Sequence, residues 1–159
     1  NTIFIGTTGN TAREMYTFMP DTKNFYMVGN MGGALSVGLG MAKAGKKVIV
    51  CGGDAEFVMH MGGLTTVGRY QDINLTYIVF DNESNKSTGG QKTYQRHINY
   101  KNIITAAGIP NSDNINTAKV MLDQVSDIQH TGVKVLIVKC SYDVVTPRPP
   151  LMLVKSKNY

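Results

Sequence analysis

No apolar run in this sequence approaches the ~20 residues that a membrane-spanning helix needs, and no signal-peptide pattern occurs in it. Both absences argue against a membrane protein. Cysteine is scarce. Cys51 and Cys140 are the only two, each at the end of an apolar run, with neither CxxC nor metal-site spacing. That excludes a disulfide framework and a thiolate zinc site, and leads us to expect buried, reduced thiols in a cytoplasmic protein. A basic, aromatic-interleaved stripe is also missing. The formal net charge is +5, but Lys46, Lys47, Lys92, Arg96, Lys101, Lys119 and Lys134 are scattered. Charge alone gives no nucleic-acid motif, and an anionic small molecule accounts for the same excess. The Lys of a Walker A loop is absent. Gly38-Leu39-Gly40 begins like a dinucleotide fingerprint, but its third Gly is missing and it falls inside a helix candidate rather than between strand and helix. Internal repeats and tryptophan are absent as well.

What is present suits one domain. The 159 residues are 42% hydrophobic and include 17 Gly without a collagen-like period, which signals tight turns around a real core. Apolar, β-branched runs at Ile3–Ile5, Lys47–Cys51, Leu75–Phe80 and Val133–Cys140 read as strands. The last three hold almost no polar residues, as in a parallel sheet covered on both faces. Helix candidates lie between them: Thr11–Phe18, Gly33–Ala44 ending at Gly45, Glu56–Val67, Tyr100–Ala107 ending at Gly108, and Thr117–Gln129. The alternation predicts an α/β fold, an open and mainly parallel sheet with helices on both faces. Asp81–His97 reads as a long polar loop without helix or strand, and the Pro-rich tail from Ser141 as extended surface chain. The chain opens directly on its first strand, so we expect the C-terminal part of a longer protein.

The chemistry gathers at two strand ends. Gly52-Gly53-Asp54-Ala55-Glu56 closes one buried run and opens a helix; Asp81-Asn82 closes the next. Ligands of open parallel sheets sit beyond the carboxyl ends of the strands. A Gly-rich turn into a helix offers free N–H groups to a phosphate. A carboxylate and an amide oxygen beside it form a hard donor set that suits Mg²⁺ and disfavours Zn²⁺.

These residues resemble the Gly-Asp-Gly … Asn-Asn motif of thiamine-diphosphate enzymes: Gly53-Asp54-Ala55, then residues 56–80, then Asp81-Asn82. Ala55 and Asp81 depart from the motif without removing a ligand. Gly29-Asn30-Met31-Gly32-Gly33-Ala34 is similar to a segment of phosphonopyruvate decarboxylases, with Asn30 and Gly33 in place of Ser and His. Met59-His60-Met61-Gly62-Gly63-Leu64, Ser87-Thr88-Gly89-Gly90-Gln91 and Thr7-Thr8-Gly9 with Arg13-Glu14 extend the likeness over nearly the whole chain. Sulfopyruvate decarboxylase β subunits share most of these motifs.

The resemblance implies thiamine diphosphate and Mg²⁺ as cofactors, and decarboxylation of an anionic 2-oxoacid. It implies Asp54, the Asn82 side chain and the Ser84 carbonyl as metal ligands, with Gly53, Ala55 and Glu56 in the diphosphate turn. Gly29 would accept from the aminopyrimidine, and Met31 would prop the cofactor in its bent form. The activating Glu is expected on a pyrimidine-binding domain of the same protein or of a partner subunit, in a homo-oligomer. Neither Glu14, Glu56 nor Glu83 has suitable surroundings, so the chain alone should be inactive. A non-catalytic assembly subunit stays open as an alternative. Lys86 is a candidate contact for the substrate's anionic end, against the plainer role of a solvated loop lysine. His60 and the Met59/Met61 pair are expected to pack structurally, His97 to be a solvated loop residue, and His130 to serve a helix end.

Overall fold

The computed structural model describes residues 2–115, 131–141 and 146–149. Six parallel strands form its sheet: β1 (Thr2–Gly6), β2 (Phe25–Tyr26), β3 (Lys47–Gly53), β4 (Asn74–Asp81), β7 (Asn111–Ile115) and β8 (Gly132–Lys139). Their order is β2-β1-β3-β4-β8-β7. A small antiparallel hairpin, β5 (Ser84–Asn85) with β6 (Gln91–Lys92), stands apart from it. The helices are α1 (Asn10–Phe18), α2 (Ala34–Lys43), α3 (Asp54–Met59), α4 (Gly63–Val67) and α5 (Tyr100–Ala106). The expected helix Thr117–Gln129 and His130 lie outside the described residues.

The continuous apolar runs are explained by cores on both faces of the sheet. Along β3 and β4, alternate side chains (Val48, Val50, Leu75, Tyr77, Val79) join one cluster with Leu35, Leu39, Phe57, Leu64 and Ile104 from the helices. Their neighbours Ile49, Cys51 and Ile78 join a second cluster with Met15 of α1. This is the period of two expected of pleated strands. In α2 the buried positions are Ala34, Leu35, Gly38, Leu39 and Ala42, a helical stripe. Gly38 is part of that packing: a Cβ there would overlap Val50 of β3. The false dinucleotide fingerprint is therefore a close helix–sheet contact.

Three expectations are corrected. The helix expected over Glu56–Val67 is two helices, broken where His60 caps α3 and Gly62-Gly63 restarts the chain. The break turns Met59 and Met61 outward, 65% and 40% exposed, while Phe57, Leu64 and Val67 fill the core in their place. The stretch Asp81–His97 is not free of regular structure: Asp81 ends β4, and the β5–β6 hairpin and two short 3-10 turns follow it. β2 and β7 were not foreseen, since one is two residues long and the other, Asn111–Ile115, is polar in sequence.

The strand order fixes where a ligand can sit. From β1 the chain steps outward to β2, then returns to β3 on the other side of β1. α1 packs with one core cluster and α2 with the other. Connections that leave in opposite directions open a crevice beyond the carboxyl ends of β1 and β3.

Candidate functional site

A cleft of about 670 Å³ lies at that crevice. Thr7 and Thr8 border it after β1, Gly53 at the end of β3 and Asp54 after it, and Asn82 and Ser84 after β4. Register brings the last two groups together. Gly53 pairs with Phe80, so Asp54 and Asn82 leave neighbouring strands just beyond the last shared rung. Of the residues singled out in the sequence, Met31, Gly53, Asp54, Ala55, Glu56, Asn82, Ser84 and Lys86 all line this one cleft. Gly29 is not among its lining residues; it stands two residues before Met31 with φ 68°.

Asp54 is buried. Its Oδ1 accepts from the Ala55 N–H at 2.8 Å and its Oδ2 from the Thr93 hydroxyl at 2.5 Å. Burial pushes its carboxyl above the ordinary range; the Thr93 and Ala55 hydrogen bonds pull it back, and Asp81 nearby pushes it up again. Asn82 Oδ1 accepts from the Ser84 N–H at 3.0 Å, closing a turn that presents Ser84. The Ser84 hydroxyl is buried without a protein partner. A Cβ on Gly53 would meet nothing within 4 Å, so the cleft wall is bare backbone at that point.

This arrangement fits Mg²⁺ and a diphosphate. Each oxygen of Asp54 accepts one hydrogen bond and retains a lone pair, as does the Asn82 amide oxygen. One carboxylate, one amide and water or phosphate oxygens are the environment that Mg²⁺ prefers. Among the described residues no three His, Cys, Asp or Glu gather as a metal cluster, and the expected set, with its single carboxylate, is not of that kind.

Thr93 went unnoticed in the sequence because it lies 39 residues from Asp54. It orients the carboxylate from behind. Losing an outer partner of a metal ligand typically costs ~10–100-fold in metal affinity. On the expectation that Asp54 is such a ligand, Thr93→Val should weaken Mg²⁺ binding by about tenfold or more while the fold persists, as titration calorimetry on the complete protein would read.

Asp81, where the motif has its first Asn, does different work. Its side chain is fully buried, Oδ1 accepts from the Glu83 N–H at 3.1 Å, and Oδ2 pairs with the Lys139 ammonium. It fastens the start of the loop to β8. Glu56 turns inward: it is 3% exposed, and its Oε2 accepts from the Gly53 N–H at 3.3 Å. Burial raises its pKa, opposed by the nearby Thr7 hydroxyl and by backbone N–H groups of Gly53, Ala34 and Gly32. Its Oε1 and the Thr7 hydroxyl have no partner of full hydrogen-bond geometry. Glu14 also borders the cleft, its pKa raised by burial and lowered by a hydrogen bond with Thr146. Lys86 is exposed in the turn after β5, and His97 is exposed. His60 is exposed on one side, while the other packs on Gly32 and Gly63.

An open parallel sheet with this cleft defines a cofactor-binding α/β domain. The chain belongs to the family described as thiamine pyrophosphate enzyme, C-terminal TPP binding domain, whose model matches residues 5–138. Phosphonopyruvate decarboxylase of Streptomyces viridochromogenes is 41% identical over 105 residues, covering 65% of this chain and 26% of that protein. Sulfopyruvate decarboxylase subunit beta of Methanocaldococcus jannaschii is 37% identical over 109 residues, covering 67% of this chain and 58% of the subunit. The chain thus spans about a quarter of the first relative and under two thirds of the second. Among solved structures, 2-oxoglutarate:ferredoxin oxidoreductase from Magnetococcus marinus superposes with a TM-score of 0.74 at 19% identity, covering 91% of this chain and 57% of that one. Benzoylformate decarboxylase from Polynucleobacter necessarius gives 0.69 at 16%, covering 92% and 31%. At those identities the likeness is one of fold. No helix among the described residues is long and apolar enough to cross a membrane.

Proposed function

We propose that this chain supplies the diphosphate- and Mg²⁺-binding half of the active site of a thiamine-diphosphate-dependent 2-oxoacid decarboxylase, acting on phosphonopyruvate to give phosphonoacetaldehyde and CO₂. The observation that carries the reading is the convergence of Asp54, Asn82 and Ser84 on one cleft beyond β3 and β4 in a chain of this family. The 41% identity to phosphonopyruvate decarboxylase, against 37% to sulfopyruvate decarboxylase subunit beta, favours phosphonopyruvate. Sulfopyruvate is the second reading, supported by the latter relative.

In this reading Asp54, the Asn82 amide oxygen and the Ser84 carbonyl hold Mg²⁺ against the diphosphate. The bare backbone at Gly53 and the turn through Ala55 lie along the phosphates. Gly29 and Met31 meet the ring end. Lys86, exposed at the border of the cleft, meets the anionic end of the substrate and holds no reacting proton. Thiamine diphosphate, when bound, supplies the carbon that adds to the keto group and the ring that accepts the electrons left by CO₂. The carboxylate that activates it comes from a pyrimidine-binding domain of the same protein or of a partner subunit, in a cytoplasmic homo-oligomer where Cys51 and Cys140 stay free; Cys51 is buried as expected, but Cys140, expected to be buried, is exposed.

The test is CO₂ release. The isolated chain is expected to give none from either 2-oxoacid, and the complete enzyme to turn over phosphonopyruvate at least ~10-fold faster than sulfopyruvate, a discrimination of about 1.4 kcal/mol. The reverse preference would assign sulfopyruvate. Turnover by the isolated chain would remove the need for a second domain.

A further inference from the structure

We propose that His60, with Glu56 one helical turn earlier, braces the Gly29–Gly33 loop against the end of β3 and is thereby a positioning residue for the ring end of the cofactor. The placement of the cofactor ring rests on the proposed function; the brace itself does not.

Gly29, Asn30 and Gly32 all adopt left-handed backbone, with φ 68°, 48° and 96°, which Gly takes at no steric cost and Asn more readily than other side chains. Within the loop the only backbone hydrogen bond runs from the Gly33 N–H to the Asn30 carbonyl, at 3.0 Å. Val28, just before it, is 78% exposed. Among the described residues, His60 at the cap of α3 reaches the loop at Gly32.

The His60 ring and Cβ lie against Gly32 so closely that a Cβ on Gly32 would overlap them. Gly32 is thus restricted to glycine twice over, by its φ and by this contact. Glu56 lies one turn earlier, linked by the His60 N–H to the Glu56 carbonyl at 3.1 Å. Burial raises the pKa of its carboxyl and the Gly32 and Ala34 N–H groups help lower it again, while the hydrogen bond of full geometry that it accepts comes from the Gly53 N–H at 3.3 Å. Ala34 opens α2, and N–H groups in a helix's first turn have no partner within the helix.

A local capping role does not account for this placement. Glu56 does accept from the Gly53 N–H, as a Glu at the third position of a helix can. A residue serving only that purpose can face water. This one is buried. A Cβ on Gly52 would come within 2.7 Å of both its Oε2 and the Tyr77 ring. The Glu56 Oε1 and the Thr7 hydroxyl sit in the same spot without full hydrogen-bond geometry to any partner. One carboxyl therefore sits where the ends of β1 and β3 meet the start of α2.

The experiment compares Glu56→Ala, Glu56→Gln and His60→Ala in the complete enzyme. Amide hydrogen exchange is read over residues 29–34, and calorimetry compares thiamine diphosphate with inorganic diphosphate, each with Mg²⁺. Glu56→Ala and His60→Ala are expected to speed exchange in the loop by about tenfold while β4 stays protected. In His60→Ala, affinity for thiamine diphosphate should fall by about tenfold and that for inorganic diphosphate by less than about twofold, because only the former has a ring to position. Glu56→Ala also releases the Gly53 N–H of the proposed diphosphate turn and should weaken both, and Glu56→Gln, which keeps an acceptor, should restore most of that loss. Unchanged exchange in the loop, or equal loss of the two affinities in His60→Ala, overturns the brace. Should Glu56→Ala not fold, His60→Ala and Glu56→Gln decide by the same readouts. If the parent binds neither ligand, the proposed function fails while the exchange data still judge the brace.

Discussion

Asp54→Ala in the complete enzyme is expected to abolish Mg²⁺-dependent binding of thiamine diphosphate and to lower kcat/KM for the 2-oxoacid by more than ~100-fold, beyond the loss typical of an outer partner. Asp54 is the only carboxylate of the proposed donor set, so alanine leaves the ion with an amide and a carbonyl facing a diphosphate. Neither carries charge, and Mg²⁺ gives up its water reluctantly. The substitution should not unfold the domain. Burial already disfavours the Asp54 carboxylate, so removing it also removes an electrostatic cost. Calorimetry beside thermal melting separates these effects. Lost binding with an unchanged or higher Tm is the expected pair. Binding within about threefold of the parent would mean that the ion is held elsewhere, and the proposed site would fall.

Lys139→Met should have the largest effect on the fold. Asp81 has a fully buried side chain, and its two oxygens depend on the Glu83 N–H and the Lys139 ammonium. Lys139 is about half exposed and also stands 3.8 Å from Glu83. Removing one partner of a buried pair leaves an uncompensated charge, at a cost of ~3–5 kcal/mol. Because water reaches Lys139, about 2–3 kcal/mol is the better expectation here. That corresponds to a fall in Tm of roughly 5–10 °C for a domain of this size. Asp81→Asn in the same background removes the stranded charge and should recover most of the loss, a coupling that a double-mutant cycle measures. A single-variant loss below about 0.5 kcal/mol would mean the pair is solvated and holds little.

The sequence made the layering legible because both signals were local. Apolar, β-branched runs such as Lys47–Cys51 and Leu75–Phe80 read as strands buried on both faces, and glycines closed the helix candidates Gly33–Ala44 and Tyr100–Ala107 close to where α2 and α5 end. The strand-end residues Asp54 and Asn82 could be expected to meet, since ends of neighbouring parallel strands share one edge. What escaped notice joins distant positions. Thr93 reaches Asp54 across 39 residues, and Lys139 reaches Asp81 across 58. No periodicity encodes such pairs. The inward turn of Glu56 was hidden for another reason: a Glu beside a Gly-rich turn reads as polar surface until the backbone of a different loop is placed over it. Met59 and Met61 misled because a three-residue break, residues 60–62, ends α3 at Met59 and takes Met61 out of the helix.

The hydrogen bond between Thr93 and Asp54 makes one residue answer to two partners. Gln95 adds a second tie, donating to the Asp54 carbonyl at 3.4 Å. The segment after the β5–β6 hairpin is thus clasped to the residue proposed to carry the ion. Thermodynamic linkage then runs both ways: an occupant that fixes the carboxylate also fixes the segment, and whatever loosens the segment weakens the occupant by the same factor.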